Sequence, residues 1–207
     1  MTCFSLDWAM TQNNLGIAYR NLPAGDRGQN LQNAIQCYEA ALRVRTETDF
    51  PLDWAGTQNN LGLAYADLPA GDREQNLQKA IQCYEAALRV YTETDFPLQW
   101  AATQNNLGIS YGNMSSGDRG QNLQKAIQCY GVALRVYTET EFPRKWAGTQ
   151  NNLGTVYANL PAGDRTQNLQ NAIQCYEAAL RILTETEFPR EWAIVQENVK
   201  NVQKQIT

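Results

Sequence analysis

PLDWAGTQNNLGLAYADLPAGDREQNLQKAIQCYEAALRVYTETDF, residues 51–96, is one period of a chain that repeats itself. The tryptophans mark the period first: Trp8, Trp54, Trp100, Trp146 and Trp192 fall 46 residues apart (54 − 8 = 46). Thr-Gln-Asn-Asn-Leu-Gly recurs at Thr11, Thr57, Thr103 and Thr149, and Ala-Ile-Gln-Cys-Tyr at Ala34, Ala80, Ala126 and Ala172. Internal periods of ~20–50 residues mean stacked supersecondary units, none of which can bury its apolar face alone. Function is then expected along an extended surface rather than in a closed pocket.

Within the quoted period, Pro51 suits a first helical turn, where its missing N–H costs little. Trp54, Gln58, Leu61, Gly62 and Tyr65 follow at helical spacing. Leu68-Pro69-Ala70-Gly71 stops that helix. Asp72 reads as the N-cap of a second helix, with Gln75 three residues on completing a capping box, and Asp26, Asp118 and Asp164 repeat the pattern. Leu77, Ala80, Ile81, Tyr84, Ala87, Leu88 and Tyr91 form the apolar stripe of this second helix. It is expected to run to about Thr94 and to break before Pro97. No segment alternates with period two, so no sheet is expected.

Short connections force antiparallel neighbours. The expected architecture is all-α: four helical hairpins at about 5–50, 51–96, 97–142 and 143–188, then a capping helix at 189–207. Gly16, Gly62, Gly108 and Gly154 sit in mid-helix, where glycine costs about 1 kcal/mol relative to alanine. Their recurrence predicts a close helix contact that a side chain would overpack. At the last repeat the block becomes Val195-Gln196-Glu197-Asn198-Val199-Lys200, followed by a polar tail, which reads as a solvating cap. Met1-Thr2-Cys3-Phe4 shows no such cap.

Composition bounds the chemistry. The 207 residues carry 43% apolar side chains, a net charge of −4 and no histidine. Histidine is the commonest general base and a frequent metal ligand. No apolar run is long enough to span a bilayer, and Met1–Met10 carries no signal-segment pattern; a cytoplasmic protein is expected, without a membrane or nucleic-acid partner. Four of the five cysteines, Cys37, Cys83, Cys129 and Cys175, share one repeat position, and Cys3 stands apart. Equivalent helices in stacked units lie about 8–10 Å apart, beyond the ~7 Å that a disulfide tolerates, so reduced, packed thiols are expected, with no metal and no cofactor. Glu47, Asp49, Glu93 and Asp95 read as a solvated rim, with no nucleophile beside them. The Gly-Asp-Arg loops at Gly25, Gly71, Gly117 and Gly163 recur because the cap recurs. An enzyme is not expected.

Leu15-Gly16 with Tyr19, then Ala34, Tyr38 and Ala41, then Pro51 resemble the tetratricopeptide repeat, and all four units show these matches. The usual unit has 34 residues; this one has 12 more, which makes it similar to kinesin-light-chain-like and bacterial, including cyanobacterial, arrays. The resemblance implies a right-handed α-solenoid whose first helices line a concave groove. On that face it places Met10, Asn13, Ile17 and Arg20, then Gly56, Asn59, Leu63 and Ala66, then Ala102, Asn105, Ile109 and Gly112, then Gly148, Asn151, Thr155 and Ala158.

The second position of this stripe is asparagine every time, while its neighbours vary. An amide offers an acceptor and two donors, so a ladder of amides could grip the backbone of an extended peptide while variable residues set preference. The expected peptide-binding residues are Asn13, Ile17, Arg20, Asn59, Leu63, Asn105, Ile109, Asn151 and Thr155. The same asparagines could instead join one unit to the next, and the adjacent Asn14, Asn60, Asn106 and Asn152 are the stronger candidates for that. The leading reading is a protein-binding scaffold. A second reading is self-association through an open first helix carrying Phe4, Leu6 and Trp8. A third, remote reading is a single-strand RNA reader, which the acidic balance opposes.

Overall fold

The computed structural model describes residues 3–206. Met1, Thr2 and Thr207, with the side chains of Cys3 and Phe4, lie outside the described residues. The expectations for Cys3 as a reduced thiol and for Phe4 in an open first helix therefore lie there too. Among the described residues the only regular structure is helix: α1 (Cys3–Asn21), α2 (Arg27–Leu42), α3 (Pro51–Asp67), α4 (Arg73–Ala87), α5 (Pro97–Asn113), α6 (Arg119–Ala133), α7 (Pro143–Asn159), α8 (Arg165–Leu180) and α9 (Pro189–Ile206). Helices α3, α5, α7 and α9 each open on a proline, 46 residues after the last. The chain divides into two compact units, Met1–Ser110 and Tyr111–Thr207. In the first, α1 packs on α2, α2 on α3 and α3 on α4; in the second, α6 packs on α7, α7 on α8 and α8 on α9.

One loop design closes every hairpin. Gly25, Gly71, Gly117 and Gly163 hold φ between +75° and +83°, the left-handed region where a Cβ is strained. Asp72 then caps α4 by accepting the backbone N–H groups of Glu74 and Gln75, which have no partner inside the helix. Asn76 Nδ2 donates to the Ala70 carbonyl at 2.9 Å, and Arg73 donates to the Ala66 carbonyl at the end of α3. Arg119 and Arg165 repeat the arginine bond on Gly112 and Ala158, each at 2.7 Å.

Two expectations need correction. Only the aspartate half of the capping box forms: the side chains of Gln29 and Gln167 donate instead to Asn33 and Asn171, one turn on. The second helix ends at Ala87, not near Thr94. Thr92 there accepts the Asp95 N–H at 3.0 Å and donates to the Asp95 carboxylate at 2.7 Å, and such local hydroxyl bonds compete with helix. The rim carboxylates Glu47, Asp49 and Asp95 are exposed, in keeping with a solvated rim, and the rim carries surface ion pairs. Glu47 takes a two-pronged bond from Arg89 of the next repeat, both contacts 2.7 Å, and Glu139 does the same with Arg181 at 2.9 Å.

The core sits between consecutive hairpins. Leu31, Ala34, Ile35 and Tyr38 of α2 pack against Leu61 and Ala64 of α3 and Leu68 just after it. Leu123, Ala126 and Tyr130 of α6 meet Leu153 and Val156 of α7 and Leu160 just after it in the same way. Trp54 is buried among Ala86, Ala87 and Tyr91, with the Arg89 guanidinium 5.1 Å from its ring centre. Cys37, Cys83 and Cys129 are buried and Cys175 half-buried, all as free thiols. Burial pushes Cys83 up to about 12 and Cys175 up to about 11, as desolvation disfavours thiolate.

The recurring mid-helix glycines have a definite partner. A Cβ on Gly16 would lie 2.6 Å from the Tyr38 ring, on Gly62 2.6 Å from Tyr84, and on Gly154 2.8 Å from Tyr176. Each glycine lets a tyrosine of the second helix pass beneath the first.

A first-helix face with an asparagine ladder

The outward stripe of the first helices carries the residues that the sequence nominated. Ile17, Ile109 and Thr155 are exposed; Arg20, Asn59, Leu63, Asn105 and Asn151 are half-buried; Asn13 is buried. Space along the stripe is uneven. A Cβ on Gly148 would meet nothing within 4 Å, whereas one on Gly56 would lie 3.2 Å from the Tyr91 hydroxyl.

The asparagines join neighbouring repeats through one end of the amide. Asn60 Nδ2 donates to Asn13 Oδ1 at 3.3 Å, Asn106 Nδ2 to Asn59 Oδ1 at 3.3 Å, and Asn198 Nδ2 to Asn151 Oδ1 at 3.1 Å. The two asparagine series are therefore partners in one bond, not alternatives. Thr57 and Thr103 stand beside it, 3.4 and 3.3 Å from the same acceptors. Their hydroxyl protons go mainly to the carbonyls of Asp53 and Gln99, both 2.8 Å away. The other end of the amide differs along the chain. Asn13 Nδ2 makes a long 3.5 Å contact to Asn14. The Nδ2 groups of Asn59 and Asn151 donate to no described residue.

Sequence reasoning missed the tyrosine hydroxyls below this face. Tyr176 donates to Thr155 Oγ1 at 3.2 Å, while the buried Tyr38 hydroxyl has no partner among the described residues. Burial raises Tyr38 to about 12 against a small opposing effect of the Arg20 charge. The signal was present: glycine and tyrosine stand 22 residues apart in every repeat (38 − 16 = 22). Arg45 was also missed. It is buried, donates to Thr57 Oγ1 at 2.9 Å and pairs with Asp53 at 3.3 Å, and its Nε finds no partner. Its signal was a break in a column that otherwise reads Tyr91, Tyr137 and Leu183.

Two clefts lie in the second unit. One, of about 210 Å³, is lined by Thr155, Asn159 and Tyr176 on one side and by Asn198, Asn201 and Gln205 of α9 on the other. The second, of about 320 Å³ and largely apolar, lies among Pro143, Ile182 and Phe188; its arginines, Arg144 and Arg181, are already paired with Glu191 and Glu139. Among the described residues no group of three or more metal-ligating side chains is assembled. No helix there is long and apolar enough to cross a membrane.

A family profile for the Sel1 repeat matches residues 9–43, 55–89, 101–134 and 147–181. The chain belongs to the Sel1 repeat family. Sel1 repeats are tetratricopeptide-like, form non-enzymatic scaffolds and generally mediate protein–protein interaction. Each matched stretch is one hairpin of 34 or 35 residues. The residues left between stretches, 44–54 for example, hold the Thr-Glu-Thr-Asp turn and the start of the next helix. Among solved structures, this Sel1-repeat chain is similar to BtubC (BKLC) from P. vanneervenii, with a TM-score of 0.63 and 19% identity over 99% of this chain and 84% of the other. That likeness is one of fold. No match was found among curated protein sequences.

Proposed function

We propose that the chain binds an extended polypeptide segment of a partner protein along the first-helix stripe, through the amides of Asn59 and Asn151 and the variable residues beside them. The ladder's division of labour supports this most directly: Asn59 and Asn151 spend Oδ1 on the next repeat and keep Nδ2 unengaged. Fixing one end of an amide orients the other without further loss of side-chain freedom, which lowers the cost of binding. Nδ2 then offers donors to peptide carbonyls, whatever the peptide side chains. Ile17, Arg20, Leu63, Ile109 and Thr155 would set preference, and Asn13 and Asn105 would complete the ladder. The compartment expected is the cytoplasm.

A random-peptide selection tests this, with Asn59→Asp/Asn151→Asp as the counter-screen. Aspartate keeps the acceptor that joins the repeats, removes the donors and adds one negative charge, so Asn60→Asp, at a position already committed between repeats, serves as the charge control. Peptides that enrich on the parent and weaken at least ~10-fold (~1.4 kcal/mol) on the folded variant support the reading. Equal binding to both removes the ladder from the binding surface.

A further inference from the structure

The cleft of about 210 Å³ between α7 and α9 has a chemistry of its own. It is wide enough for about seven waters at the ~30 Å³ each takes in the liquid, hence for a side chain. Tyr176 and Val202, both buried, form its floor, and Thr155, Asn159, Asn198, Asn201 and Gln205 stand around it. None of the side chains lining it carries a charge. Some of their polar groups are already engaged within the protein. Thr155 donates to the Asn151 carbonyl at 3.0 Å and accepts from the Tyr176 hydroxyl. Gln205 donates to the Asn201 carbonyl at 3.1 Å and accepts from Arg165.

Three amides keep a free end. Asn159 and Asn198 use Nδ2 on the Thr155 carbonyl at 2.8 Å and on Asn151 Oδ1 at 3.1 Å, which leaves each Oδ1 open as an acceptor. The Asn201 side chain bonds to no described residue, so it offers both donors and an acceptor. A guest must therefore give and receive hydrogen bonds together, and a primary carboxamide does so from one planar group. A carboxylate only accepts; it would face two acceptor oxygens with no proton to give. An ammonium only donates, and the Arg165 charge beside Gln205 repels it. An apolar group would strip water from the amides and return no bond. The column of Asn201 reads Ile17, Leu63, Ile109 and Thr155 in the other repeats. On α1 and α3 the positions matching Thr155, Ala158, Asn201 and Gln205 are Ile17, Arg20, Leu63 and Asp67, apolar or charged.

We infer that this cleft receives the carboxamide side chain of a glutamine or asparagine in the partner's segment. The inference rests on the reading of the first-helix stripe as a peptide groove, and it gives that groove a preference where α7 meets α9. The carboxamide NH₂ donates to Asn159 and Asn198, and its oxygen accepts from Asn201. Asn151, bonded to Asn198, keeps its Nδ2 for the segment's backbone. A few fixed polar groups in a concave site set orientation and specificity in this way.

The side-chain NH₂ signals of ¹⁵N-labelled protein, titrated with the N-acetyl, N-methylamide derivatives of glutamine, glutamate, lysine and leucine, test this. All four probes carry the same backbone amides, so differences between them read the side chain. Asn201→Leu puts the residue type of Leu63 at an exposed helical position, keeps the fold, and assigns the Asn201 signal by its loss. The expected result is a saturable shift of the Asn198 and Asn201 signals with the glutamine probe, at a Kd on the order of 1–10 mM. The other three probes bind at least ~10-fold more weakly, and Asn201→Leu, followed at Asn198, weakens the glutamine probe at least ~5-fold. No saturable shift up to about 50 mM, any other probe binding as tightly as glutamine, or a response indifferent to Asn201→Leu would each overturn it. Glutamine binding here with no peptide enriched in the selection would uphold the cleft and remove the groove. Enriched peptides that need Asn59 and Asn151, with no glutamine response at Asn198, would remove the cleft alone.

Discussion

Gly62→Ala is the sharpest test of how the hairpins are held, because helix propensity and packing predict opposite signs. In a helix interior alanine is favoured over glycine by about 1 kcal/mol. Against that, the new methyl would lie 2.6, 2.9 and 3.0 Å from three ring carbons of Tyr84, where ordinary carbon contacts are ~3.5–4.0 Å. Tyr84 is almost wholly buried, so its ring cannot swing aside. Either α3 lifts from α4 or the ring leaves its rotamer, and overpacking of this kind costs about 1–3 kcal/mol. Three contacts this short place the cost at the upper end, for a net loss of about 1–2 kcal/mol and a fall in Tm of about 3–6 °C. Gly131 is the control. It is exposed in α6, and a Cβ there meets nothing within 4 Å, so Gly131→Ala should gain about 0.5–1 kcal/mol. Urea and thermal unfolding of both variants give the comparison, and Gly62→Ala combined with Tyr84→Leu should recover part of the loss. If Gly62→Ala stabilises the chain as much as Gly131→Ala does, the reasoning is refuted.

Other consequences follow from the same contacts. Arg45 is a buried cation with an unpartnered Nε in a column otherwise filled by Tyr91, Tyr137 and Leu183. Arg45→Tyr is expected to be neutral or to stabilise by up to ~2 kcal/mol in urea unfolding, since it removes the desolvation cost of a buried cation and leaves behind only Asp53, whose carboxylate is half exposed to water; a loss above ~1 kcal/mol would count against this. Trp54→Ala should cost about 3–5 kcal/mol, read by the same assay, because it empties the seam between Leu42, Ala86 and Tyr91. The chain should also lose stability in alkali. Burial holds Cys83, Tyr38 and Tyr137 near 12 and Cys175 near 11, while unfolded thiols and phenols ionise near 8.5 and 10. Between about pH 9 and 11 the folded state therefore binds more protons than the unfolded state, so unfolding free energy falls as pH rises; below about pH 8 these groups contribute no slope. Urea midpoints measured across that range check the sign, and a rise above pH 9 would contradict it.

Much of the fold was legible because the repeat states each rule four times. The prolines at 51, 97, 143 and 189 mark helix starts, and the aspartates at 26, 72, 118 and 164 mark caps that form. The glycine column correctly announced a close contact, and its constant 22-residue offset from a tyrosine column was there to be read, but only the coordinates show that this tyrosine fills the contact. Helix ends were overshot by about two turns, because the apolar stripe continues to Tyr91 while the Thr92 hydroxyl has already turned the chain. Ion pairs such as Glu47–Arg89 join residues 42 apart, and no local pattern signals them. The ladder was legible as a column of asparagines. That one end of each amide would bind the next repeat was not, since donor and acceptor directions depend on the offset between α1 and α3.

The most direct test of the central claim observes the ladder itself. In ¹⁵N-labelled protein, the side-chain NH₂ signals of Asn59 and Asn151 can be assigned by their disappearance in Asn59→Asp and Asn151→Asp, then followed as a selected peptide is added. The account predicts that both signals shift with the peptide's binding curve, while the Asn60 and Asn106 signals, already committed between repeats, move little. Saturating peptide that leaves Asn59 and Asn151 unmoved would contradict it.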